Sequence, residues 1–241
     1  MHFYGMTDIG RTREANQDVF YTHKFSDQAG FAIVCDGMGG QSGGHIASDM
    51  ACSIISSRLI EERVGEMPSD QIRDLVVTAV SEANLDVFKK SNTEPGCKGM
   101  GTTAVLAIVS GQTAYIAHVG DSRVYYWSGG RLQQLTRDHS LVQELMEQGK
   151  ISQTEMKTHP NRNMITRAVG VSLIVDIDYL EMPLHPGEKL LLCSDGLTNM
   201  VTDEAIAAVL GDDHAPVVCS RLVAMANEAG GTDNITVAVI E

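Results

Sequence analysis

The chain has 241 residues, 43% of them hydrophobic, with a formal charge of −13 and a pI near 4.9. This length suits one large domain with a sizeable core, and no linker or low-complexity stretch divides it, so a single domain over residues 1–241 is expected. The acidic balance repels nucleic-acid backbones and anionic bilayers, and no apolar run reaches membrane-spanning length, which argues against both kinds of partner.

Three strand-like runs come first, HFYGMTDI, DVFYTHKF and GFAIVCDG, rich in β-branched and aromatic residues. Two long helices follow, about His45 to Val64 and Ser69 to Lys90. Ala47, Met50, Ala51, Ile54, Ile55 and Leu59 share one face of the first; Ile72, Leu75, Val76, Ala79, Val80, Ala83 and Val87 share one face of the second. From Thr102 the pattern returns to strands. TTAVLAIVSGQTAYIAHVG reads as a hairpin turning at Ser110-Gly111-Gln112, and RVYYWSGGRLQQL as another turning at Ser128-Gly129-Gly130. Residues 137–170 are polar with short helical pieces, and Ser140/Gln143 and Ser152/Glu155 have capping-box spacing. LIVDIDYLEM and EKLLLCSD are strand-like, helices are predicted near Asp203 to Leu210 and Ala215 to Glu228, and ITVAVIE closes the chain as a strand. Hairpins beside amphipathic helices imply an α+β layered fold, not a βαβ repeat. No internal repeat of fixed period is present. The five cysteines include no CxxC pair, and Cys35 and Cys193, inside apolar runs, read as buried thiols of a reducing cytosol. The N-terminus lacks a signal-peptide stretch, so a soluble cytoplasmic protein is expected.

The chemistry lies in the aspartates. Asp36-Gly37 and Asp195-Gly196 end apolar runs, Asp121 sits in the turn-like HVGDS, and Asp233 precedes the last strand in GGTDN. A strand delivers what lies at its end to a fixed point, and the glycine permits a sharp turn with a bare carbonyl. Two carboxylates about 5 Å apart at an effective dielectric near 20 repel by roughly 3 kcal/mol. Four in one pocket therefore want cations, and oxygen donors suit Mg2+ or Mn2+. Taken singly, each Asp-Gly pair is an ordinary turn signal.

RTREANQD adds Arg13 and Asp18, and with CDGMGG, GMGTTA, HVGDSR, CSDGL and GGTDNITV the order resembles the metal-dependent protein phosphatase family, 2C type. The resemblance runs over almost the whole chain. It implies a four-layer αββα sandwich, two antiparallel β-sheets flanked by helices, with a metal site at one end. It implies hydrolysis of phosphoserine and phosphothreonine in proteins, with Mn2+ or Mg2+ as cofactor. Two such ions acidify a shared water, which attacks phosphorus in line.

By the same resemblance Asp36 bridges the two ions, the Gly37 carbonyl touches one, and Asp195 and Asp233 complete the other. Asp18 acts near the second ion, directly or by orienting water. Asp121 holds a third ion, or only stabilises its turn. Arg13 grips the phosphate through its planar fork, and Asn234 supports the site. Relatives carry a histidine just after Asp-Gly or shortly later; here Met38 and Gln41 stand in those places. The general acid is then His45, a metal-bound water, or no dedicated group. His45 and His139 both have purely structural readings. Residues 137–170 resemble the family's flap, expected to govern access more than chemistry. Arg162 and Arg167 either meet phosphopeptide charge or pin the flap to the acidic rim, the second being favoured for Arg167.

The implied partners are phosphorylated proteins, substrates of a eukaryotic-like serine/threonine kinase, acted on by a monomer. The rival readings are a small-phosphoester phosphatase, a catalytically silent binding module of the same fold, and a structural calcium protein. The last lacks any EF-hand-like loop of alternating acids.

Overall fold

The computed structural model describes residues 1–212 and 214–241, apart from the side chains of Gln41, Ser42 and Asp212. Strands β1 (Phe3–Asp8), β2 (Asp18–Ser26) and β3 (Ala29–Met38) lead into helices α1 (Gly40–Glu61) and α2 (Ser69–Thr93). A two-residue strand β4 (Gly101–Thr102) precedes the hairpins β5 (Ala104–Ser110)/β6 (Thr113–Val119) and β7 (Arg123–Ser128)/β8 (Arg131–Gln134). Short helices α3 (Leu141–Glu147) and α4 (Gln153–Met156) lie in the flap. Then come β9 (Asp178–Pro183), β10 (Lys189–Cys193), α5 (Asp195–Thr198), α6 (Asp203–Asp212), α7 (Ala215–Glu228) and β11 (Ile235–Ile240).

The strands form two antiparallel sheets, one ordered β1-β11-β10-β7-β8 and the other β2-β3-β5-β6-β9, with β4 paired to β3. Strand alternation makes the layers. Phe31, Ile33 and Cys35 of β3 face α1 and α2, while Ala32 and Val34 face the opposite sheet. In β11, Val237 and Val239 face α6 and α7, while Ala238 and Ile240 fill the space between sheets. The expected αββα sandwich is therefore present, because each helix spends its apolar stripe on the outer face of one sheet.

Some local expectations needed adjustment. LIVDIDYLEM is a strand only from Asp178; Leu173 and Ile174 before it are exposed loop. Asp36 lies within β3, two residues from its end. Ser152 makes the full capping box with Glu155. Ser140 accepts from the Gln143 N–H, the first half of that motif.

Candidate active site

Register brings the first two acids together. Asp18 of β2 lies directly opposite Asp36 of β3, and facing residues of an antiparallel pair point to the same side. β10 and β11 pair antiparallel in the other sheet, so α5 begins where β11 begins. Asp195, the first residue of α5, thereby meets Asp233 and Asn234. The turn between β6 and β7 supplies Asp121. Asp36, Gly37, Asp121, Asp195 and Asp233 line one open cavity of about 900 Å³, with Arg13 on its wall.

Two glycines are sterically required there. A Cβ on Gly37 would lie 2.1 Å from the Gly44 carbonyl oxygen, and one on Gly196 would lie 1.9 Å from that of Asn234. The Asn234 side chain organises the loop that carries Arg13. Its Nδ2 donates to the Ile9 and Ala15 carbonyls at 2.9 and 3.0 Å, and its Oδ1 accepts from the Gln17 N–H at 2.9 Å. Arg13 Nη2 donates to Asp233 Oδ2 at 2.7 Å.

Asp18 is buried behind the cavity. Its Oδ2 accepts from Ser194 Oγ at 2.7 Å, while its Oδ1 has no hydrogen-bond partner. Burial and like charge push these acids toward their neutral forms. Asp195 rises to about 8, first through burial and then through Asp121 and Asp233. Asp36 rises well above the carboxylate range, first through burial and then through Asp18. Asp18 rises to about 6 through burial, opposed by its hydrogen bonds, and Asp121 to about 6 through burial and Asp138. A protein that gathers acids whose charges the fold disfavours is suited to positive ions. The orphaned Asp18 oxygen and the all-oxygen donor set fit Mg2+ or Mn2+. Among the described residues, the only three such side chains with ligand atoms all within 4.8 Å of one another are His118, His139 and Asp178, outside this cavity. No three of the cavity acids meet that criterion among the described residues.

His45 is exposed on α1 and is not among the residues lining the cavity. A general acid at His45 therefore has no support in the geometry. The side chain of Gln41 lies outside the described residues. Arg167 Nη1 donates to Asp178 Oδ1 at 2.6 Å, so it pins the flap to a carboxylate outside the cavity and not to the acidic rim that was expected. Arg162 is exposed.

Sequence reasoning missed the residues that hold the acids. Thr103 Oγ1 accepts from the Asp36 N–H at 2.9 Å and lies 2.7 Å from Ser122 Oγ, tying the Asp36 strand to the Asp121 turn. Its backbone N–H donates to the Asp36 carbonyl at 2.8 Å. Ser194 braces Asp18, and Asn199 Nδ2 donates to Asp195 Oδ2 at 3.0 Å. The one available signal was that Thr103 and Ser194 lie in stretches already singled out, GMGTTA and CSDGL. Asn163 and Ile165 bring the flap to the cavity wall.

Residues 10–235 match the protein phosphatase 2C family model. The serine/threonine phosphatase stp of Listeria monocytogenes serotype 4b (strain F2365) is 38% identical over 242 residues, covering 100% of this chain and 96% of its own. The serine/threonine phosphatase of S. agalactiae superposes with a TM-score of 0.91 at 35% identity, covering 99% of this chain and 98% of that one. The catalytic domain of the serine/threonine protein phosphatase PstP, in complex with two manganese ions, superposes with a TM-score of 0.86 at 29% identity, covering 99% and 96%. The chain thus belongs to the protein phosphatase 2C family and is a protein serine/threonine phosphatase.

Proposed function

We propose that this phosphatase holds two divalent cations, Mn2+ or Mg2+, at the acidic end of its sandwich and there hydrolyses phosphoserine and phosphothreonine in proteins. The observation that carries the reading is the convergence of Asp36, Asp121, Asp195, Asp233 and Arg13 on one cavity, with Asp18 buried behind it. Asp36 and the Gly37 carbonyl, Asp195 and Asp233 would hold the pair, Asp18 would orient water or ligate, and Asp121 would serve a third ion. Bound there, the cations supply charge that polarises the phosphoryl group and lowers the pKa of water.

The protein's own part is positioning. Arg13 is half exposed and reaches the cavity, so its free nitrogens can fork a phosphate while Nη2 stays near Asp233. Thr103 and Ser194 fix Asp36 and Asp18 from below, so the acids are placed before substrate arrives. The cavity is open rather than enclosed, which favours protein substrates over a closed small-molecule pocket. No helix among the described residues is long and apolar enough to cross a membrane. We place the enzyme in the cytoplasm as a monomeric single catalytic domain of residues 1–241, acting on the products of a eukaryotic-like serine/threonine kinase.

Purified protein should hydrolyse para-nitrophenyl phosphate and a phosphothreonine peptide with Mn2+ and stop when chelator is added. Asp36→Asn should stay folded by circular dichroism and lose at least about a thousandfold in kcat. Turnover within tenfold of the parent in that variant would overturn the bridging role.

A further inference from the structure

We infer that His139 is a positioning residue that fixes the turn carrying Asp121 to the root of the flap. The inference rests on the reading of Asp121 as a cation-holding carboxylate. His139 is almost fully buried and holds both polar groups of one peptide unit's residue. Its backbone N–H donates to the Gly120 carbonyl at 2.8 Å, and its ring Nδ1 accepts from the Gly120 N–H at 3.0 Å. Gly120 has φ of 112°, and a Cβ there would lie 2.6 Å from the Thr103 side chain. The peptide that leads into Asp121 is therefore set by His139 on one side and Thr103 on the other.

The same residue grips the flap. Its carbonyl accepts from the Thr166 N–H at 2.8 Å, joining the two legs of residues 137–170. Because Nδ1 accepts a hydrogen bond, the proton of the neutral ring lies on Nε2. Nε2 then donates to Asp178 Oδ2 at 3.1 Å. Arg167 Nη1, 3.0 Å from Nε2, donates to the other oxygen of the same carboxylate. One acceptor between two donors fixes both the tautomer and the ring plane. His118 stacks on one face of the ring, with centroids 4.4 Å apart. Burial lowers the pKa of His139 and keeps the ring neutral.

A transition-metal site at His118, His139 and Asp178 fits less well. Arg167 already brings a cation to Asp178 and Nε2, and Nδ1 of His139 is taken by the Gly120 N–H. The contacts instead describe a continuous path from the flap leg at Arg167, through Asp178 and the imidazole, to the peptide before Asp121.

Two substitutions separate the ends of that path. In His139→Asn the amide oxygen stands where Nδ1 was and can still accept from Gly120, but nothing reaches Asp178. In His139→Gln the amide stands where Nε2 was, and the Gly120 acceptor is lost. Hydrogen–deuterium exchange of the metal-free protein should show residues 117–122 exchanging about tenfold or more faster in His139→Gln, and within about twofold of the parent in His139→Asn. Flap residues 160–168 should exchange faster in His139→Asn. Mn2+ calorimetry should show the weakest binding step weakened in His139→Gln and restored in His139→Asn. Equal exchange of residues 117–122 in the two variants, or parental exchange in His139→Gln, overturns the inference. If His139→Gln does not fold, Asp178→Ala decides. Its site is half exposed, and loss of the acceptor should speed exchange of flap residues 160–168 by about threefold or more while residues 117–122, still held through Nδ1, stay within about twofold of the parent; unchanged exchange of residues 160–168 overturns the inference. A weakest Mn2+ step that persists in Asp121→Asn would instead count against Asp121 as the ligand, leaving the exchange result to judge His139.

Discussion

Replacing Asp195 by Asn should stabilise the metal-free protein at alkaline pH while abolishing its use of metal. In the folded protein burial and neighbouring acids raise Asp195 to about 8, against 3.8 for an ordinary aspartate. Between those values the folded state holds a proton that the unfolded state has released. Stability therefore falls as pH rises, by about 1.36 kcal/mol per pH unit where the difference is one full proton. From pH 5 to pH 8, with the slope tapering near the folded pKa, the loss amounts to roughly 3–4 kcal/mol. Asn has the shape of the protonated acid and nothing to ionise. Its Oδ1 can still accept from Asn199, as Asp195 does at 3.0 Å. Urea unfolding in chelator should put the variant roughly 1.5–2 kcal/mol ahead at pH 5 and about 5 kcal/mol ahead at pH 8. Mn2+ at a hundred times its Kd should then stabilise the parent by about 2.7 kcal/mol and the variant by less. Parallel stability curves for the two proteins between pH 5 and pH 8 would refute the claim that burial and neighbouring acids hold Asp195 in its neutral form.

Arg13→Ala should raise KM for phosphopeptide by about ten- to a hundredfold, since a lost charge-assisted fork costs roughly 1.5–3 kcal/mol. Because Arg13 now holds Asp233, Mn2+ affinity in that variant should be unchanged or slightly tighter by calorimetry; clearly weaker binding would speak against the phosphate role. Thr103→Val should leave the Asp36 N–H without its acceptor and lower stability by about 1–3 kcal/mol, with Thr103→Ser restoring most of it in the same denaturation assay. Asn84→Ala should loosen the loop after the flap. The amide of Asn84 accepts from the Gly170 N–H at 2.8 Å and donates to the Ser172 and Leu173 carbonyls at 3.0 and 3.2 Å. Limited proteolysis should then cut near residues 171–174 several-fold faster than in the parent, and an unchanged cutting rate would show that the loop is held by other contacts.

The layers were legible because the periods were clean. The buried stripe of α2 is the set from Ile72 to Val87 that helical spacing picks out, and α7 has the predicted bounds. The acids were legible because each lies beside a glycine or a turn in a recurring order. What the sequence hid was contact across distance. Nothing in Ser194 announces that it braces Asp18, 176 positions earlier, because that contact exists only once the sheet whose strand β10 leads into Ser194 packs on the sheet that carries β2. The strand expected from Leu173 begins only at Asp178 because Leu173 and Ile174 are exposed loop, while Val175 and Ile177 pack on the core without a partner strand: alternation reports burial, and pairing needs a neighbour as well. His45 failed for a related reason. Nearness in sequence to Asp36 does not survive the turn into α1, which places that side chain in solvent.

Gly37 and Gly196 have no space for even a methyl group, since backbone oxygens of Gly44 and Asn234 occupy it. A saturation library at either codon, selected only for soluble expression and never shown a phosphate ester, should therefore return the parental residue. Invariance at these two positions among descendants of this gene would record crowding in the scaffold, and it would persist in a lineage that had abandoned hydrolysis.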